Sequence, residues 1–178
     1  MKIHQNNALG ELGGAIGKGI LAGLAATAAI TLSQMIEMKI TKREASDAPL
    51  KVAEETTGAK PASEYDEDKL AQELHWAYGT TWGIARELIG LTGLKGLPAT
   101  LVHFGAIWGT SMILLPAYNA SEPVTKQKPQ AIAIDGLHHA VYAITAGLVY
   151  DAVDAGSKNE KKLTKIARQL KTLIKKYK

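Results

Sequence analysis

The sequence predicts an all-α fold: a four-helix transmembrane bundle with a polar loop over 39–70 and a basic amphipathic C-terminal helix. Three observations predict it. Charge is nearly absent from several long windows and dense elsewhere, although the hydrophobic content of 46% is ordinary and mean hydropathy is near zero. Glycines recur at four-residue spacing inside those windows, as they do where helices approach closely in lipid. Prolines and mixed-charge runs fall between the windows or at their ends. At 178 residues the chain suits one domain. We divide it into an N-terminal leader (1–14), a membrane domain (15–154) and a cytoplasmic tail (155–178).

The first span is Ala15–Met38. Between Lys18 and Glu37 it carries no charge. Those eighteen residues rise about 27 Å as a helix, against about 30 Å of bilayer hydrocarbon. Gly13 and Gly17 form one small-residue pair and Gly19 and Gly23 another, either of which lets a neighbouring helix approach. Gly10 to Gly14 also suit a flexible leader. No small-residue cleavage site closes a short hydrophobic core, so the run reads as a retained anchor.

The polar stretch after it carries charges of both signs. Pro49 to Thr56 suit a short amphipathic helix, stopped by Gly58 and Pro61. The second span, Ala71–Leu91, is the most polar. Glu73, His75, Arg86 and Glu87 are expensive in lipid, so this helix must pack inside a bundle or be soluble. The third, Leu97–Tyr118, contains one ionisable group in its apolar run, His103. Gly105 and Gly109 repeat the small-residue spacing, Pro98 suits a helix start and Pro116 its end. The fourth, Ala131–Asp154, is apolar from Leu137 to Tyr150 with Asp135, His138 and His139 at its entrance and Asp151 at its exit. In the tail, Leu163, Ile166, Leu170, Leu173, Ile174 and Tyr177 share one face. Lys161, Lys162, Lys165, Arg168, Lys171, Lys175 and Lys176 cover much of the rest and suit an anionic lipid surface. A solvated helix is the plainer reading of the tail.

Four spans put both termini on one side. More lysine and arginine falls there than opposite, most of it in the tail, which orients both termini to the cytoplasm of a bacterial inner membrane. The net charge of +4 is therefore local. No aromatic platform accompanies the basic tail, which disfavours nucleic acid as a partner. Membrane lipids and other membrane subunits, or a second copy of the chain, are the expected partners.

Folding the spans antiparallel sorts the ionisable groups into two layers. The outer holds Glu37, His75, Asp135 and His138. Asp135, His138 and His139 stand at i, i+3 and i+4, so the carboxylate shares a face with both imidazoles. With His75 from the facing helix they form a candidate site for zinc, iron or haem, or a proton relay. Interhelical hydrogen bonding is the plainer reading, and the Glu-x-x-His ligand pairs of di-iron bundles are missing. The inner layer holds Arg86, Glu87, His103 and Asp151. Asp151 is the expected counter-charge to Arg86, with Glu87, adjacent in sequence, pointing elsewhere. Snorkelling of Arg86 to the interface is the alternative.

The absence of cysteine excludes disulfides, thiolate metal sites and a cysteine nucleophile. No serine sits in a nucleophile elbow. "GELGGAIGKG" lacks the Gly-Lys-Ser/Thr ending of a phosphate loop. Catalytic residues are therefore not assigned, and no cofactor is identified.

"TKREASDAP", "HWAYGTTWG", "HFGAIWGT" and "AIDGLHHAVYA", in that order, resemble a group of small bacterial four-span inner-membrane proteins of unknown function, loosely YagU-like. The resemblance spans roughly Gly19 to Asp154 and omits the tail. It implies a membrane location and four helices, and no activity. A structural or accessory component of a membrane complex is the expected role. A small transporter or channel, an intramembrane metal or haem protein, and a soluble helical bundle are the alternatives.

Overall fold

The computed structural model describes residues 2–176 apart from 59 and 62, and leaves out the side chains of 2–9, 11, 64, 161 and 172–176. Among the described residues the chain is all-helical: α1 (Lys2–Thr41), α2 (Ala48–Thr57), α3 (Glu64–Leu91), α4 (Gly96–Ala117) and α5 (Pro129–Lys176), with one 3-10 turn at Val124–Lys126.

Local chemistry accounts for the ends. Lys42 closes α1 in the left-handed region, at φ 60°. Pro49 sits in the first turn of α2, where its missing N–H costs nothing, and Gly58 ends the helix at φ 70°, its N–H donating to the Glu54 carbonyl. Ser63 caps α3 by accepting from the Asp66 N–H at 3.3 Å. Gly93 and Gly96, both at positive φ, turn the short α3–α4 connection.

Three boundaries differ from expectation. Helix α1 begins at Lys2, so the glycine-rich residues 10–14 are helical rather than a separate leader. The fourth span and the tail form one continuous helix, α5. Gly156 alone marks the seam, and a single glycine costs only about 1 kcal/mol in a helix interior. Helix α3 also starts earlier than Ala71, taking the end of the 39–70 stretch with it.

Helix α1 packs most extensively on α3 and α5, while α4 leans chiefly on α5 and α2 lies against α3. The interior is built from small and polar residues: Ala22, Ala26, Ala99, Ala143 and Ala146 are buried, with Thr27, Arg86 and His103 among them. Ile30, Leu50 and Ile107 are buried, but many large aliphatic side chains point out. Leu32, Ile36, Leu101, Ile113, Ile144 and Leu148 are all more than half exposed. A water-soluble domain does the reverse and rarely leaves so much apolar surface bare.

Among the described residues three helical segments are long and apolar enough to cross a membrane: Leu12–Thr41, Gly96–Ala117 and Pro129–Lys171. Helix α3 has the length but is not among them, because Glu73, Arg86 and Glu87 interrupt its apolar residues.

Candidate functional site

Close contact between α1 and α3 sets the geometry of everything polar in the bundle. A Cβ on Gly19 would lie 2.9 Å from the Gly83 carbonyl oxygen, and one on Gly23 would lie 2.5 Å from that of Thr80. Reciprocally, a Cβ on Gly83 would strike the Gly19 and Gly23 backbones, and one on Gly79 would strike the Thr27 side chain. Two glycine pairs at four-residue spacing therefore interlock, one from each helix. The α3 pair was not expected in this role. Gly13, Gly17, Gly105 and Gly109, expected as packing positions, meet nothing within 4 Å.

In the outer layer the structure separates what the sequence grouped. His75 Nε2 meets Thr31 Oγ1 of α1 at 3.1 Å. His138 Nδ1 meets Ser33 Oγ at 2.8 Å, and its Nε2 lies 3.8 Å from Glu37. Glu37 is already held by Arg43, whose Nη2 donates at 2.8 Å, and by the Thr41 hydroxyl at 2.7 Å. Asp135 accepts from the Trp108 indole N–H at 2.9 Å. His139 Nδ1 donates to the Asp135 carbonyl at 2.9 Å, with the carboxylate 3.4 Å away.

Each histidine is thus occupied by a different neighbour. Among the described residues no group of three or more His, Asp or Glu side chains could hold a metal ion. His75, Asp135, His138 and His139 do not converge, because the first answers to α1 while the Asp135 carboxylate is taken by α4.

Between the layers, His103 is fully buried and donates through Nε2 to the Trp82 carbonyl at 2.9 Å. That carbonyl only accepts, so Nε2 carries the hydrogen and Nδ1 is a bare acceptor. The His103 ring is flanked by Trp82 and by Tyr142, at centroid distances of 6.5 and 5.9 Å. Tyr142 in turn donates to the Gly79 carbonyl, tying α5 to the α1–α3 seam.

The inner layer is a charge cluster. Arg86 Nη2 reaches Asp151 Oδ1 at 2.9 Å, and its guanidinium lies 4.5 Å from the Tyr150 ring centroid. It does not snorkel, since its side chain is wholly buried. Glu87 is turned inward as well: it is 4% exposed and lines the same cavity as Tyr150 and Asp151. Adjacent positions can both be buried here because α1 and α5 both pack on α3. Lys18 of α1 bonds Asp154 at 2.8 Å, and Lys158 pairs with the same carboxylate. Lys18, Tyr150 and Asp154 were missed in the sequence, although equal depth on antiparallel helices would have matched the lysine with the aspartate. Lys18, Glu87, Tyr150, Asp151, Asp154 and Lys158 line a cavity of about 180 Å³ between the ends of α1, α3 and α5.

Among the described residues five buried side-chain atoms lack hydrogen-bond partners: Arg86 Nε and Nη1, Glu87 Oε2, His103 Nδ1 and His138 Nε2. Buried polar groups normally find a partner, so each marks an unmet hydrogen-bonding capacity inside the bundle.

Among the described residues of the basic tail the apolar face is exposed. Leu163, Ile166 and Leu170 are exposed, as are Lys162, Lys165, Arg168 and Lys171. The side chains of Lys161, Lys175 and Lys176 lie outside the described residues.

No protein-family model matches the chain. No curated protein and no solved structure matches it either.

Proposed function

We propose that the chain is a four-span protein of a bacterial inner membrane, with both termini cytoplasmic, serving as a structural or accessory component of a membrane complex. One observation carries the four-span reading: α3 turns its most expensive residues, Arg86 and Glu87, into the bundle, where α5 supplies Asp151 and Tyr150. A polar helix crosses lipid when its neighbours satisfy its charges. The accessory role is supported by surface that the chain does not cover itself, namely the Gly105–Gly109 strip on α4 and the apolar face of the tail. The resemblance to YagU-like proteins fits the same placement.

Purification of the tagged chain from native membranes in mild detergent tests the role. A stoichiometric partner, or a second copy, should accompany the wild type and be lost from Gly105→Leu/Gly109→Leu. A monomer in both samples argues against it.

A second reading, a small transporter or channel, is favoured by the buried polar atoms without partners at Arg86, Glu87, His103 and His138. Substrate or proton flux in liposomes, abolished by His103→Leu, is its test.

A further inference from the structure

The inner cavity is lined by one buried carboxylate oxygen without a donor and by one exposed lysine outside the ion pairs. Glu87 lines it, is 4% exposed, and keeps Oε2 without a donor. Lys95, exposed, lines it from the α3–α4 connection and makes no ion pair or side-chain cap among the described residues. The other lysines on its wall, Lys18 and Lys158, are paired with Asp154, and Arg86, which gives one Nη to Asp151, does not line it. A simple anion would satisfy Lys95 and leave the buried carboxylate oxygen bare. A simple cation would do the opposite.

We propose that this cavity binds a zwitterion bearing a primary ammonium and a phosphate, the chemistry of an ethanolamine phospholipid headgroup. The ammonium supplies the donor that Glu87 Oε2 lacks, and Asp151, whose carboxylate is 40% exposed, faces the same space. The phosphate engages Lys95. Tyr150 forms part of the wall, its ring already beneath Arg86. At about 180 Å³ the cavity suits a headgroup and falls below the ~300 Å³ floor of drug-sized sites. An ammonium with N–H groups is required, because a trimethylated one offers no hydrogen to a carboxylate.

The lipid form rests on the membrane placement proposed above, whereas binding of free phosphoethanolamine needs no bilayer. Failure of one reading is therefore distinguishable from failure of the other. The test is native mass spectrometry of the full-length chain, delipidated in detergent and offered phosphatidylethanolamine, phosphatidylcholine, phosphatidylglycerol or free phosphoethanolamine. Phosphatidylethanolamine should be retained about tenfold better than the other two lipids, the scale of one charge-assisted hydrogen bond. Glu87→Gln should erase that preference, and Lys95→Gln, in an exposed connection, should cut retention several-fold without affecting folding. Binding of free phosphoethanolamine without the lipid assigns the site to a soluble ligand of the same chemistry. Equal retention of all three lipids with no phosphoethanolamine bound overturns the proposal. So does a preference unchanged in both variants.

Discussion

The Arg86 guanidinium on α3 donates to the Asp151 carboxylate on α5 at 2.9 Å, with the arginine side chain fully buried and the aspartate partly open. The two are distant in sequence and meet because antiparallel spans bring their matching depths together. Arg86→Ala should lower stability in detergent. Once Arg86 is gone, removing Asp151 should cost little more, giving a coupling of about 1–2 kcal/mol. A thermal or denaturant double-mutant cycle measures it, and purely additive losses would place the pair out of energetic contact.

Gly83 separates the interlocked helices from the free strips. Gly83→Ala puts a methyl group against the backbones of Gly19 and Gly23, which cannot move without parting α1 from α3. A loss of about 1–3 kcal/mol is expected, as for other overpacked sites. Gly109→Ala meets nothing within 4 Å among the described residues and should hold or slightly raise the monomer's melting temperature, since alanine is the better helix former. Equal losses in the two variants would contradict the packing described.

Tyr142 joins α5 to α3 through its hydroxyl and the Gly79 carbonyl. Tyr142→Phe keeps the ring against His103 and removes only that bond. The expected loss is about 0.5–1.5 kcal/mol, read as a lower midpoint of unfolding in detergent. A wild-type midpoint would mean that the carbonyl gains nothing from the hydroxyl.

Gly136 sits against Trp108, a Cβ there lying 2.9 Å from the indole Cζ2. Gly136→Ala should destabilise, and pairing it with Trp108→Phe should recover part of the loss, since the smaller ring makes room. The double variant still forfeits the indole bond to Asp135. A double variant worse than the sum of its parts would rule out a steric origin.

Much of the helical framework was legible because lipid-facing segments are written in charge-free runs. The short helix α2 was marked by Pro49 and Gly58, and the pairing of Arg86 with Asp151 followed from depth alone. Other features were not legible, for physical reasons. Gly19–Gly23, Gly105–Gly109 and Gly79–Gly83 have the same spacing, and only the identity of the facing helix tells which of them pack. The glycines of residues 10–14 read as flexible, yet nothing local forbids the helix that runs through them. The three outer histidines looked convergent because sequence gives depth and face but not the competing partners, here Thr31 and Ser33.

The central claim is that α3 crosses the membrane with the other three long helices. The cysteine-free chain permits single-cysteine variants at Glu44, Thr92, Glu122 and Asn159, probed with a membrane-impermeant maleimide on intact cells and on inverted vesicles. Four spans predict that Glu44→Cys and Glu122→Cys react from outside, and Thr92→Cys and Asn159→Cys only from the cytoplasmic side. Labelling of Glu44→Cys and Thr92→Cys from the same side would leave α3 uncrossed and contradict the account.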